Sequence, residues 1–234
     1  MANRSQGAAD AGPRQLWFSP PDAGESPRRA LTRERVVAEA LTVISTDGAG
    51  ALSMRALATR LGVVPGALYR HVRSKEQLLD LVVDGVLAEV DTRADHAPGW
   101  AERVKVLARG LRAVLEDHPG IAGLLKTRDA LGPHSLALAE AFLAPLQAAG
   151  LPERETALAF PVIYDYTLGF ALSDRTTVNQ QRVQDAATRR KLYAFFRSLP
   201  ADRFPALAAL GEHIWAGNRN QRFTASLDTR QPRR

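Results

Sequence analysis

Residues 51–75 read ALSMRALATRLGVVPGALYRHVRSK, and this stretch decides how the chain folds. Ser53 stands before a short amphipathic run and supplies a side-chain oxygen that can cap a helix, while Gly62 allows the left-handed turn that ends it. Pro65 then occupies a position where proline fits the first turn of a new helix. The stretch therefore predicts two short helices joined through one glycine, the second of them over Pro65–Val72.

Two further helices flank this pair. Apolar residues recur at helical spacing after Thr32, a good capping residue, and Asp47-Gly48 ends that run. On the other side, Ser74 begins a longer helix with Gln77 at the capping-box position, and a broad apolar face continues it to about Asp91.

Every segment from Trp100 onward also predicts helix, and no alternating strand pattern stands out. The spans are separated by breaks that contain proline or glycine. They are 100–116, 119–127, 133–149, 153–175, 182–198 and 204–218. The sequence thus predicts an all-α fold, with an N-terminal three-helix helix-turn-helix domain and a larger C-terminal helical bundle.

Composition divides the chain into four parts. Residues 1–30 are rich in Pro, Gly, Ser and Arg, which predicts a flexible N-terminal arm. The helix-turn-helix domain covers 31–75 and the larger helical domain 76–218, with the helix at about 74–91 as the connector. Residues 219–234 hold five arginines against one aspartate, which predicts a basic C-terminal tail.

Charge and composition narrow the function classes. The net charge is +6, and residues 51–75 hold five basic side chains and no acidic one, which suits a phosphate backbone. Because the chain has no cysteine, a disulfide scaffold, a Cys-ligated zinc site and thiol catalysis are excluded. No apolar stretch is long enough for a membrane span and the N-terminus is polar, so we expect a cytoplasmic protein with no membrane partner.

An all-α enzyme or a protein-interaction module without DNA is the alternative function. The five histidines show no metal-binding spacing, and no glycine-rich phosphate loop is present. Helix capping or a buried hydrogen bond explains Asp117-His118 before a proline. We therefore predict no catalytic residue, no metal site and no cofactor.

The second short helix has the chemistry to read DNA. A major groove about 12 Å wide admits one helix, whose N-terminal residues then face the base edges. Compact residues at the start of this helix permit close approach, and the following side chains carry hydrogen-bonding tips. Its candidate DNA-contacting residues are Pro65, Gly66, Ala67, Tyr69, Arg70 and His71. The amides at the start of the next helix, with Lys75 beside them, form a candidate phosphate site.

Residues 31–90 resemble the DNA-binding domain of the TetR family of transcriptional regulators. The matching features are Leu-Ala-x-x-Leu-Gly-Val and Leu-Tyr-x-His-Val-x-x-Lys within LSMRALATRLGVVPGALYRHVRSKEQLLDLV. The rest of the chain resembles the tetracycline repressor branch through Trp100, Leu-x-x-His-Pro at 115–119 and YDYTLGFAL at 164–172.

The resemblance implies a ligand-responsive, DNA-binding regulator, most often a repressor that a small effector releases from a palindromic operator. It matches Ser53 and Arg55 with positions that touch bases or backbone, and Lys75 with a phosphate contact. Arg70 is expected to make the strongest base contact, because a guanidinium binds guanine through two hydrogen bonds. Ligand and DNA are expected to compete through the connector helix, since a small tilt there moves both recognition helices.

A two-fold dimer is expected to form through the helices at 153–175 and 204–218. Both carry apolar faces beyond what a small bundle can hide, and each would meet its symmetry mate in a four-helix bundle. Small residues that permit close approach are Gly169, Ala171, Gly211, Ala216 and Gly217.

By the same resemblance, residues 76–218 form the ligand-binding and dimerisation domain. The tetracycline repressor holds its drug as a magnesium chelate with a histidine and a glutamate, and Leu125 and Ser173 stand at those positions here. Neither side chain suits magnesium, so we expect a mainly apolar or aromatic effector that needs no metal. The candidate ligand-binding residues are Trp100, Leu107, Leu111, Leu125, Phe142, Tyr164, Asp165, Tyr166, Phe170 and Ser173.

Overall fold

The computed structural model describes residues 31–94, 96–176, 186–214 and 219–228, with the backbone alone at 174–176, 212, 214, 219 and 226. All regular secondary structure within these residues is helical, which confirms the predicted all-α fold. None of their helices is both long and apolar enough to cross a membrane. The predicted arm, 1–30, and the end of the predicted tail, 229–234, lie outside the described residues.

Four helices and a short 3-10 turn form the N-terminal part. The helices are α1 (Arg33–Asp47), α2 (Met54–Leu61), α3 (Pro65–Leu68) and α4 (Lys75–Leu87). The predicted caps are confirmed, because the side-chain oxygens of Thr32, Ser53 and Ser74 each accept a backbone N–H three residues later, at 3.1 to 3.2 Å. Gly62 ends α2 with a positive φ of 70°.

Helix α3 is shorter than the predicted span of 65–72. It ends at Leu68, and the amides of Arg70 and His71 bond to carbonyl groups three residues back, at 3.3 and 2.9 Å. This tighter turn lets the chain change direction before the extended residue Ser74 begins α4. The Arg33 Nε donates to the His71 carbonyl at 3.2 Å and holds the end of the turn against α1.

Apolar side chains from all four helices are buried in the N-terminal part. Among those with no exposed surface are Val36, Ile44, Leu57, Leu68 and Leu78. Helix α4 packs against α1, and a methyl group added to Gly85 would lie 3.9 Å from a methyl of Val37. Burial of this apolar surface fixes the helix-turn-helix against the connector.

Four more helices follow the N-terminal part. They are α5 (Gly99–Asp117), α6 (Ile121–Leu125), α7 (Pro133–Ala148) and α8 (Glu153–Thr176), close to their predicted spans. Helix α5 packs against α7, and α4 packs against α5, α6 and α7. Helix α4 therefore contacts helices on both sides. By their contacts the described residues form two compact units, one that ends at Ala171 and one that begins at Leu172.

The second unit contains α9 (Ala186–Arg197), α10 (Pro205–Ile214) and α11 (Arg219–Leu227). Gly211 was expected to permit contact with a second copy, but it is buried inside the chain, where a side chain would clash with Phe196 of α9. Ala216 and Gly217 lie outside the described residues.

The prediction of a tail from residue 219 onward is wrong for Arg219–Leu227, because these residues form helix α11. This helix buries Phe223 to 1% exposure. Phe223 and Leu227 are four residues apart and lie on one face of a helix, a pattern that the surrounding arginines obscured in the sequence.

Candidate DNA-binding surface and ligand cavity

The segment around α3 has a buried side and an exposed side. Leu68 and Val72 are 0% and 1% exposed and anchor the segment in the core. Ala67 and His71 are half-buried. The exposed residues are Val64, Pro65, Gly66, Tyr69 and Arg70. A methyl group on Gly66 would meet no described atom within 4 Å, so this side is open to a large partner.

Val64 belongs to this surface and was missed in the sequence. It is the N-cap residue of α3, and 71% of its surface is exposed. An apolar side chain at the tip of a recognition helix can contact the C5-methyl group of thymine. The available signal was a second valine directly before the helix-starting proline, in Val63-Val64-Pro65.

The basic side chains near α3 differ in what neutralises them. Arg60 forms an ion pair with Glu39 of α1, so its charge is already balanced. Within the described part of the chain, Arg55, Arg70 and Lys75 have no ion-pair partner. Arg73 is exposed and also has no ion-pair partner among these residues, so these four are the cations of residues 51–75 that are available to phosphate or bases.

The start of α4 already holds an anion. A hydrogen bond from its own backbone amide and one from the Ser74 side chain keep the pKa of the Glu76 carboxyl below its ordinary value. The Gln77 side chain accepts the backbone N–H of Arg73, and Lys75 is half-buried beside them. A DNA phosphate at the predicted site would therefore share the helix N-terminus with the carboxylate of Glu76.

Arg128, in the segment between α6 and α7, binds the first two turns of α4. Its Nε donates to Oδ1 of Asp80 at 2.7 Å, and its Nη2 donates to the backbone carbonyl of Glu76 at 2.8 Å. We call this set of contacts the Arg128 bridge. Because Lys75 is the first residue of α4, the bridge lies next to the candidate phosphate contact.

Asp84 ties α4 to the start of α7. This carboxylate is 3% exposed and accepts the backbone N–H groups of His134 and Ser135 at 3.1 and 2.9 Å. The Ser135 hydroxyl donates to it at 3.1 Å, and Nδ1 of His134 lies 2.8 Å from Oδ2. Since the local N-cap is Gly132, which has no side chain, Asp84 caps α7 from another helix.

A cavity of about 380 Å³ lies beside these contacts. Its lining comes from α4, α6, α7, α8 and the segment between α6 and α7. The apolar lining includes Leu87, Leu125, Leu131, Leu136, Leu138 and Phe160, and the polar lining is Arg128, Asp129, Ser135 and Tyr164. Residues that hold α4 therefore also face a space large enough for a small organic molecule.

Two stretches of the chain match models of known protein domains. Residues 36–82 match the model of bacterial regulatory proteins of the tetR family, and residues 94–229 match the tetracyclin repressor-like C-terminal domain. The chain belongs to the TetR family. It is a helix-turn-helix transcriptional regulator, and the alternative of an all-α enzyme is excluded by this membership.

Individual TetR-family proteins are similar over most of the chain. An HTH-type transcriptional regulator of Saccharopolyspora erythraea is 33% identical over 207 residues, which cover 88% of this chain and 86% of the relative. ActR of Streptomyces coelicolor, solved with actinorhodin, superposes with a TM-score of 0.70 at 31% identity, covering 85% of this chain and 94% of ActR. BioQ, solved with its natural double-stranded DNA operator, gives a TM-score of 0.57 at 30% identity, covering 70% and 99%.

Two of the ten candidate ligand-binding residues line the cavity of this TetR-family chain, namely Leu125 and Tyr164. The Phe160 ring, which was not among the ten, lies 5.6 Å from the Tyr164 ring and 5.8 Å from that of Phe142. Burial, and secondarily the charge of Asp165, raises the pKa of Tyr164 to about 12. Its phenol therefore keeps its proton at neutral pH and can donate a hydrogen bond.

The other eight candidates are not among the residues that line this cavity. Leu107, Leu111 and Phe142 are core residues at 1%, 0% and 0% exposure, since their apolar side chains fill the space between packed helices. The ring centroids of Tyr166 and Phe170 lie 5.0 Å apart with the rings tilted at 53°, and the guanidinium of Arg112 lies 5.7 Å from the centroid of the Phe170 ring. The exposed candidates are Trp100, Asp165 and Ser173.

Sequence reasoning missed the polar residues that connect α4 to the cavity. Asp80, Asp84 and Arg128 are separated in the sequence by up to 48 residues, so no local spacing relates them. The available signals were an acid inside an apolar helical run, at Val83-Asp84-Gly85, and a helix that begins at Gly132-Pro133 without a capping side chain. Among the described residues, no group of three or more His, Asp or Glu could hold a metal.

Proposed function

We propose that this TetR-family regulator is a homodimeric, cytoplasmic repressor that binds a palindromic DNA operator and releases it when a small, mainly apolar or aromatic effector enters the cavity. The observation that carries the proposal is the exposed face of α3. That face presents Arg70 without an ion-pair partner among the described residues, while Leu68 and Val72 hold the same segment in the core.

The DNA contacts follow from the chemistry of that surface. Arg70 reads a guanine edge, because its planar fork matches O6 and N7. Arg55 and Lys75 bind the phosphate backbone, which fixes position but reads no sequence. The Ser53 hydroxyl already accepts the Ala56 N–H as the cap of α2. It can still donate its hydrogen to DNA, or accept a hydrogen bond with its second lone pair.

A dimer supplies the second half-site that a palindrome requires. In α8, Leu158 and Val162 are 57% and 68% exposed. In the second unit, Phe195 and Leu210 are 57% and 54% exposed. Exposed apolar side chains in such numbers favour contact with a second copy, because burial removes them from water.

A DNA-binding assay with defined fragments tests the proposal. Fragments from either side of the coding sequence and a scrambled fragment of equal composition are titrated with the full chain, and fluorescence anisotropy is measured at about 50 and 200 mM salt. We expect tight binding to one fragment, with two chains per site, and at least about tenfold weaker binding at the higher salt. Equal affinity for all fragments, or a monomer by light scattering at micromolar concentration, would contradict it.

A further inference from the structure

We propose that the ligand of this cavity is an aromatic molecule with an anionic oxygen group, and that Arg128 binds this group at the expense of its contacts with α4. The inference rests on the proposed function, because it names the chemical class of the effector. Three observations carry it: the position of Arg128, the nature of its present partners and the surroundings of the cavity.

Arg128 faces the cavity and α4 at the same time. A guanidinium has five N–H donors, and Nε and Nη2 are engaged by Asp80 and by the Glu76 carbonyl. Within the described residues, Nη1 has no hydrogen-bond partner. The guanidinium can therefore donate its remaining N–H groups to a ligand carboxylate or sulfonate, and such charge-assisted pairs are among the stronger hydrogen bonds in proteins.

The present partner of Arg128 can be exchanged. The Asp80 and Arg128 side chains are 28% and 19% exposed, so the pair is neither fully dry nor fully solvated. A ligand anion inside the cavity competes with Asp80 for one positive charge, which weakens the Arg128 bridge. Because the bridge holds the first two turns of α4, beside Lys75, its loss reaches the DNA-binding end of the helix.

The remaining lining favours aromatic rings with oxygen acceptors. Phe160 and Tyr164 offer ring surfaces, and the protonated Tyr164 hydroxyl is a second donor. Ser135 donates its hydroxyl hydrogen to Asp84, so it offers the ligand only a lone pair. Asp129 is the one opposing charge in the lining; it is exposed, and water screens it more than the largely buried Arg128.

Three naphthalene probes that differ in charge test the ligand class. The anion is 8-anilinonaphthalene-1-sulfonate, the neutral probe is N-phenyl-1-naphthylamine with the same rings, and the cation is N-(1-naphthyl)ethylenediamine. Fluorescence titration of the full chain should give the anion at least about tenfold higher affinity than the neutral probe, the size of one charge-assisted hydrogen bond. Equal affinities, or tightest binding of the cation, would overturn the proposal, and in the second case Asp129→Asn should abolish the preference.

Variants assign the preference to Arg128. Arg128→Gln should reduce anion affinity to that of the neutral probe, and Asp80→Asn should raise anion affinity, because it removes the competitor. Ala139 lines the cavity, so Ala139→Phe should fill part of it and lower the affinity for all three probes. This variant separates binding in the cavity from binding to exposed apolar surface. Circular dichroism verifies folding. An unchanged preference in Arg128→Gln contradicts the proposal even if Ala139→Phe fails to fold.

Coupling to DNA is measured separately. The anionic probe should weaken operator binding by the wild-type chain several-fold. It should weaken operator binding by Asp80→Asn much less, since that variant has already lost the ion pair of the bridge. An unchanged operator affinity with bound probe would contradict the role of the bridge. Operator binding without any probe tests the proposed function alone. If the chain binds its operator but shows no Arg128-dependent preference for the anionic probe, only the proposed ligand class is overturned. If it shows that preference but binds no operator, only the proposed function is overturned.

Discussion

The connector helix α4 is held on its two sides by different kinds of contact. Toward α1 it packs through apolar side chains, with Gly85 beside Val37. Toward the cavity it is bound by charged groups, through Arg128 on Asp80 and through Asp84 on the start of α7. Apolar packing is not directional, and an anionic ligand does not compete for it. An ion pair is directional, and a ligand of like charge can take the place of one partner. The helix-turn-helix is thus fixed to α4, while on the cavity side the Arg128–Asp80 ion pair is a contact of α4 that a ligand can replace.

The two acidic attachments also differ from each other. Asp84 is buried and accepts two backbone N–H groups and a hydroxyl, so its removal leaves donors unsatisfied in the core. Asp80 is partly exposed, and water can replace it. We infer that Asp84 holds the two helices together permanently and that Asp80 is the exchangeable contact.

Replacement of Asp84 is expected to have the largest effect. Asp84→Ala should lower the free energy of unfolding by about 3 kcal/mol, because the buried amides of His134 and Ser135 lose their acceptor. Asp84→Asn, which keeps one acceptor oxygen, should lose only about 1 kcal/mol. Chemical denaturation measures both. If the two variants were equally stable, the carboxylate would not be the N-cap of α7, and the contrast with Asp80 would disappear.

Replacement of Arg70 is expected to act on DNA sequence preference without a loss of stability. Arg70→Ala should cost about 1–3 kcal/mol of operator binding and relax the preference at one base pair in each half-site. Binding to a set of single-base operator variants measures it. Arg60→Ala is the matched control, because Arg60 is paired with Glu39 and should change operator affinity much less. A uniform loss across all operator variants would make Arg70 a backbone contact instead.

Replacement of Lys75 is expected to have a smaller and sequence-independent effect. Lys75→Ala should weaken all operator variants alike and flatten the dependence of binding on salt by about one unit for each lost phosphate contact per subunit. The same titration over a series of salt concentrations measures it. An unchanged salt dependence would indicate that Glu76 already neutralises this helix end and that no phosphate binds there.

Local patterns were sufficient to predict the helices up to Ile214, but not α11. Thr32, Ser53 and Ser74 each bond to an amide three residues away, so the cap and its partner are visible together in the sequence. The same holds for Gly62, whose left-handed conformation ends α2. The length of α3 was overestimated, because its last turn depends on the direction in which the chain enters α4.

The cavity depended on contacts that no local pattern contains. Apolar and aromatic residues at helical spacing indicated a core, but they did not distinguish a core residue such as Phe142 from a lining residue such as Phe160. Both types are apolar and recur on the inner face of a helix. Only the packed structure shows where side chains leave a cavity between the helices. The contacts of Asp84 were also hidden, since they join positions about 50 residues apart.

Magnesium should have the smallest effect of all on the cavity side of α4. Leu125 lines the cavity and has no lone pair for a metal, and Ser173 is not part of the lining. The lining carboxylate is Asp129, and one exposed carboxylate alone holds Mg²⁺ poorly. We therefore expect calorimetric titration with tetracycline to give the same weak or absent heat with magnesium and with EDTA, with Asp129→Asn as the control for stray metal binding. Tight binding that appears only with magnesium, and survives in Asp129→Asn, would show that metal ligands outside this cavity serve the effector and that the charged side of α4 does not mediate the response.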